Sequence, residues 1–191
     1  MLHLITIVRI QIASAKSPKN KMKEYFKFVH EVAGVYADRE AVIAHKFFCN
    51  RKSIGMLEPI KNGAKKTGLL KKLDNIAWDM SAPRFLETII LSGGDGRYII
   101  PMFLTLDANL RQMLKAYPVK GVLFNRETGA FIPIPEIRTE EYFEKHGCSA
   151  DLEHLYSEPV RTERLSRNPL DLPAVFKLIK SELKKLQAYM V

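Results

Sequence analysis

Apolar positions recur at helical spacing over much of this chain, and the breaks between those runs outline its elements. Ser17-Pro18 supplies an N-cap followed by a proline suited to a first turn. Met22, Tyr25, Phe26, Val29, Val32, Ala33 and Tyr36 then mark one apolar face, which predicts a helix. Asp38 can cap the next helix, with Val42, Ile43, Phe47 and Phe48 inward, and His45 among them reads as a partly buried structural histidine. Leu70, Leu73, Ala77 and Met80 predict a further helix carrying Trp78 and Asp79. Pro83 has no N–H to give the Asp79 carbonyl, so that helix is expected to kink or restart near Ser81. Asp171-Leu172-Pro173 opens a last helix, with Leu172, Val175, Phe176, Ile179, Leu183, Leu186 and Met190 on one face. Lys177, Lys180, Lys184 and Lys185 occupy its other face, and it should dock on the domain or on a protein partner.

Strand signals concentrate in the second half. After the Gly93, Gly94, Gly96 turn, Tyr98 to Leu106 is rich in β-formers, with Pro101 placing it near a strand start or sheet edge. Ala108 to Ala116 returns to a helical pattern. Val119 to Phe124 and Ala130 to Ile134 flank Asn125-Arg126-Glu127-Thr128-Gly129, a hairpin signal. A helix between the strands Tyr98 to Leu106 and Val119 to Phe124 predicts parallel neighbours joined by a right-handed crossover. Leu4 to Ile12 is β-branched yet dense enough in apolar residues for a buried helix, and the pattern leaves both open. Thr139 to His146 reads as a short helix closed by Gly147, and residues 148 to 169 as a loop around one helical turn. The expected class is therefore α/β, with a domain over 1–147 and a C-terminal loop and helical appendage over 148–191.

Composition adds limits. The chain has 191 residues, enough for a real core, with 47% hydrophobic and 27% charged residues, as in soluble globular proteins. No apolar run approaches the roughly 18 residues of a membrane span. Met1 to Ala13 contains His3 and Arg9 and lacks a basic leader, which argues against a signal peptide. Cys49 and Cys148 stand too far apart for a zinc or redox motif, so two buried free thiols in a reducing cytoplasm are expected.

Charge is unevenly placed. Residues 1–75 hold 15 Lys and Arg against 6 Asp and Glu, whereas residues 76–191 hold 15 of each. Such asymmetry suggests a polyanion, nucleic acid above all, meeting the N-terminal part. Lys19 and Lys23 on the second helix, Lys65 and Lys66 in the Gly- and Pro-punctuated connection from Asn50 to Gly68, and Arg84 are the candidate contacts. A solvated lysine-rich surface gives the same composition, since basic charge alone carries no sequence readout. The connection is no P-loop, which needs fixed glycine spacing before Lys-Ser or Lys-Thr.

Three acids stand out. Glu40 lies in a first helical turn, where it also complements the helix dipole, Asp79 lies beside Trp78, and Asp107 can cap the helix that follows it. Carboxylates that converge can hold Mg²⁺ or Mn²⁺ and activate water for attack on phosphorus. Asn75-Ile76-Ala77-Trp78-Asp79 with Arg84, and Phe103-Leu104-Thr105-Leu106-Asp107 leading into a helix, resemble the PIN-like nucleases over roughly residues 25–134. The resemblance implies a small parallel sheet flanked by helices and metal-dependent cleavage of RNA or single-stranded nucleic acid. It makes Asp79 and Asp107 the metal-binding positions, with Glu40 a weaker match. Members of that family open with a strand bearing an aspartate, and Met1 to Lys16 contains no acid. Two functions follow as expectations: a PIN-like ribonuclease using Mg²⁺ or Mn²⁺, or a non-catalytic nucleic-acid-binding subunit of that fold held in a larger complex.

Overall fold

The computed structural model describes residues 1–91, 104–125, 131–166 and 171–191. Leu2–Ala13 forms a helix, α1, which resolves the open choice at the start of the chain. Leu4, Ile5, Thr6, Ile7, Val8 and Ile10 are each at most 2% exposed, and at 100° per residue they point around the whole helix circumference. A segment buried on every side must satisfy its own backbone. Among the described residues no strand lies beside it to take its N–H and C=O groups, and a helix pairs them internally despite the poor helix propensity of Ile, Val and Thr.

Helices surround α1. α2 spans Pro18–Phe28, with the Ser17 side chain accepting from the Asn20 N–H, and continues through a π-helical turn at Val29–Ala33. Gly34 ends it at φ 66°, a left-handed stop that glycine adopts without strain. α3 is Asp38–Cys49, followed by a 3₁₀ turn at Arg51–Ile54. α4 is Leu69–Leu91, α5 is Ala108–Ala116, α6 is Thr139–Lys145, and α9 is Leu172–Gln187. Residues 148–169, expected as a loop, contain two helices, α7 (Ser149–Tyr156) and α8 (Glu158–Ser166). One core cluster takes Met22 and Tyr25 from α2, Val29 from the π-helical turn, Ile43 and Phe47 from α3, Leu73 and Ile76 from α4, Phe143 from α6 and Leu186 from α9.

The expected PIN-like α/β fold does not form. Among the described residues the chain is mostly helical, with one two-stranded sheet in place of a parallel sheet flanked by helices. Its strands, β1 (Val119–Phe124) and β2 (Phe131–Pro135), pair antiparallel with a bulge between Val119 and Gly121. This is the hairpin that the turn signal suggested. Val122, Leu123 and Ile132 are exposed, so the ribbon sits at the surface. A parallel sheet instead needs strands covered on both faces. Most of the strand expected over Tyr98 to Leu106 lies outside the described residues; its end at 104–106 has no regular structure, and Leu104 and Leu106 are exposed.

Pro83 sits inside α4, which does not restart at Ser81. The Ser81 hydroxyl instead donates to the Trp78 carbonyl at 2.7 Å, within the turn that the proline disturbs. The inward face is Leu69, Leu73, Ile76 and Met80, while Leu70 is half exposed.

A polar girder ties α1 to its neighbours. Arg9 Nε donates to Glu182 Oε2 of α9 at 2.7 Å, and Lys185 Nζ donates to Glu182 Oε1 at 2.6 Å. Arg9 Nη1 also reaches Glu24 of α2 at 3.5 Å, and Lys16 Nζ reaches the same carboxylate at 3.3 Å. Glu182 is buried, so its charge depends on these donors. Removing one partner of such a pair leaves an uncompensated charge, whereas replacing both by apolar groups does not. Arg9→Ala should therefore destabilise the fold by about 3 kcal/mol in denaturant titration. Arg9→Met with Glu182→Leu should recover most of that loss; a double variant as unstable as the single one would mean that the pair itself holds the helices together.

Candidate functional site

The structure distributes the three candidate acids over different tasks. Asp107 is the N-cap of α5, its Oδ1 accepting from the Asn109 N–H at 2.7 Å and the Leu110 N–H at 3.0 Å. Glu40 is buried in α3 and ion-paired with Arg84 of α4, so the arginine expected at a nucleic acid joins two helices. Asp79 comes near enough to Asp107 to feel its charge, and partial burial followed by that repulsion raises its carboxyl above the usual range. Two of the three acids are thus neighbours, and the third is held elsewhere by an arginine.

This donor set does not fit Mg²⁺ or Mn²⁺. Hard divalent ions want several oxygen ligands converging on one point. One oxygen of Asp107 is committed to backbone N–H groups, and Glu40 to a guanidinium. Among the described residues no three His, Cys, Asp or Glu side chains come together as a group that could hold a metal ion.

The basic residues are better placed. The segment 61–68, the last part of the connection read from Asn50 to Gly68, is pinned to the chain's last residues: Gly63 N–H donates to the Tyr189 carbonyl at 3.0 Å, and Lys66 N–H to the Val191 carbonyl at 2.9 Å. Val191 N–H in turn donates to the Ala64 carbonyl at 3.1 Å. The segment runs into α4 through Gly68, whose φ of 76° suits glycine. Lys65, Lys66, Lys71 and Lys72 are all exposed, and among the described residues none makes an ion pair. Lys19 and Lys23 of α2 are likewise exposed and without an acid partner there, one turn apart on a different element.

α4 continues the basic segment with an aromatic face that the sequence reading did not single out. Lys71, Asn75, Trp78, Ala82 and Phe85 recur at spacings of four and three, which keeps them on one stripe. Trp78 is 71% exposed and Phe85 66% exposed. Two helical turns, about 10 Å, separate the two rings along the axis. The signal was available as a helical stripe opposite the buried one.

A second cluster was also missed, because its members are distant in sequence. His45 of α3 stands between Cys49, one turn on, and Tyr142 of α6. Its Nε2 is 3.5 Å from Cys49 Sγ, and its Nδ1 is 2.8 Å from the Tyr142 hydroxyl. The His146 ring lies 4.6 Å from the His45 ring centroid, and the buried Cys148 thiol donates to the His146 carbonyl at 3.6 Å. Burial, assisted by His146 and Lys46, lowers His45 to about 4, so the imidazole is neutral at physiological pH. Burial likewise raises both thiols, which are protonated at rest. Cys49 itself is exposed, unlike the buried thiol expected from the sequence.

The Asp79 carboxyl provides a test of the acidic pair. A raised folded-state pKa means that the native chain binds the proton more tightly than the unfolded chain, so stability falls as pH rises through the carboxylate range. Asp79→Asn should raise the melting temperature slightly at pH 7, with the gain vanishing below the ordinary aspartate pKa. A lower melting temperature for the variant at pH 7 would mean that Asp79 has an attractive partner instead.

No protein-family model, no curated protein and no solved structure matches the chain.

Proposed function

We propose that this chain is a non-catalytic binder of single-stranded nucleic acid, RNA in particular. The observation that carries the reading is the exposed stripe of α4, where Trp78 and Phe85 follow directly on the exposed lysines Lys65, Lys66, Lys71 and Lys72, which make no ion pair among the described residues. Large rings in water cost hydration free energy unless something covers them, and bases do so without regard to sequence. Lysines beside the rings attract phosphates and release counterions on binding. Duplex would offer phosphates but no open base faces, which favours a single strand.

The basic excess of residues 1–75 supports the same reading. Glu24, Glu31 and Glu40 of that segment are each engaged by basic side chains, which leaves the lysine surface electropositive. Lys19 and Lys23 extend the attraction over α2. Cleavage through Asp79, Asp107 and Glu40 is not part of the proposal, because Asp107 is turned to capping and Glu40 to an ion pair, which leaves Asp79 without a second free carboxylate beside it. Nucleic acid incubated with the chain should be recovered intact.

Trp78 is the sole tryptophan, so its fluorescence reports this surface alone. Titration with a single-stranded oligonucleotide should quench it. Trp78→Ala should weaken binding by about 1–3 kcal/mol while leaving the salt dependence in place, since a stacking contact is lost and no phosphate contact is. Lys65→Glu with Lys66→Glu should instead flatten the salt dependence, by about 0.7 in slope for each phosphate contact on a single strand. Unquenched fluorescence together with unchanged affinity in both variants would contradict the proposal.

A further inference from the structure

The base of the hairpin, the start of α3 and Arg84 of α4 enclose a pocket of about 240 Å³. Its apolar wall comes from Tyr117, just before β1, from Val119 of β1, and from Pro133 and Pro135 of β2. Glu136 N–H donates to the Pro118 carbonyl at 2.9 Å, which fixes the Pro135 end of β2 against the chain leaving Tyr117. Pockets that enclose a whole drug-sized ligand run to roughly 300–1,000 Å³, so this one is of a size for a single ring system.

The polar lining is Asp38, Arg39 and Arg84. Ala37 is the N-cap of α3, which places Asp38 in the first turn of that helix. Arg39 is buried, with its guanidinium 5.7 Å from the Tyr117 ring centroid, so cation and ring form one wall. Arg84 is tied to Glu40 through Nη2, and a guanidinium carries five N–H groups in a fixed fork. With Glu40 counted, two carboxylates stand against two guanidiniums, so the pocket is neutral and attracts a phosphate weakly. What it offers is a fork of donors and a carboxylate acceptor facing one ring-sized space.

Guanine carries the complementary set. Its O6 and N7 are adjacent acceptors that match an arginine fork, whereas adenine places a donor, N6–H₂, beside its N7. The N1–H and 2-amino groups of guanine donate in parallel, as a carboxylate requires. Uracil and cytosine lack the second ring and its N7. Bases also stack on guanidinium planes and aromatic rings.

We propose that this pocket takes a guanine base of the bound single strand. Arg84 donates to O6 and N7, Asp38 accepts from N1–H and the 2-amino group, and the base lies on the wall made by Arg39 and Tyr117. The inference rests on the single-strand reading above and adds a base preference to it. Arg84 immediately precedes Phe85 in α4 and stands about 9 Å along the axis from Trp78, so a strand stacked on the two rings reaches the pocket without leaving the helix.

The test is fluorescence anisotropy of labelled oligonucleotides on the full chain. A short uridine oligonucleotide measures general binding, and the same oligonucleotide with one guanosine, placed at each position in turn, measures the preference. Guanosine at its best position should tighten binding at least about five-fold, and adenosine there should not. Inosine, which lacks the 2-amino group, and 7-deazaguanosine, which lacks N7, should each lose most of that gain. Asp38→Asn should abolish the difference between guanosine and inosine while leaving the uridine oligonucleotide's affinity unchanged. Trp78→Ala should weaken both oligonucleotides alike and keep their ratio. If the uridine oligonucleotide binds but guanosine adds nothing, or adenosine adds as much, or the gain survives Asp38→Asn, the guanine pocket is overturned and the single-strand reading stands. If no oligonucleotide binds, both are overturned.

Discussion

The rest of the structure depends on burying α1 on all sides. Its Ile, Val and Leu side chains point in every direction, so no arrangement leaves one face to water without exposing a large apolar area. The chain meets this demand by packing α2, α3, α4 and α9 against it. α9 comes from the far end of the sequence, and the Arg9–Glu182 pair fixes its register against α1 at a point where both charges are shielded from water. The residues of the proposed binding surface then fall where this packing leaves them: lysines on the outer faces of α2 and the 61–68 segment, and aromatic rings on the outer face of α4.

Much of this was legible where the helical period was strong. α2, α3, α5 and α9 appear near their expected positions, and the hairpin follows its turn signal. The nature of the first segment was not legible, because Leu4 to Ile12 fits a strand or a buried helix equally well until its neighbours are known. Helices α7 and α8 were hidden by polar composition and scattered proline, although Pro159 sits in a first turn where it is tolerated. On α4, Leu70 was taken for an inward position that Leu69 fills. A one-residue slip of that kind also conceals the outer stripe of Trp78 and Phe85.

The parallel sheet failed for a different reason. It rested on a helix read between two strand-like runs and on short acidic motifs, and such motifs fix residue types without fixing the backbone that carries them. Asp107 at a helix start is explained by capping two N–H groups, and Glu40 in a first turn is explained by its arginine. Asp79 and Asp107 do lie near one another, but as two repelling carboxylates with no third beside them among the described residues. The cysteine cluster shows the converse. Cys49 and Cys148 share no sequence motif, yet α3 and the turn after α6 bring both to the neighbourhood of His45 and His146.

The most direct test of the central claim is native-state hydrogen exchange along α1. If α1 is the helix around which the others assemble, the amides of Ile7 to Ile10 should exchange only through global unfolding, with the same free energy and denaturant dependence as the whole molecule. Protection of these amides at the level of the exposed hairpin would contradict the account, because α1 could then open while the remaining helices stay packed.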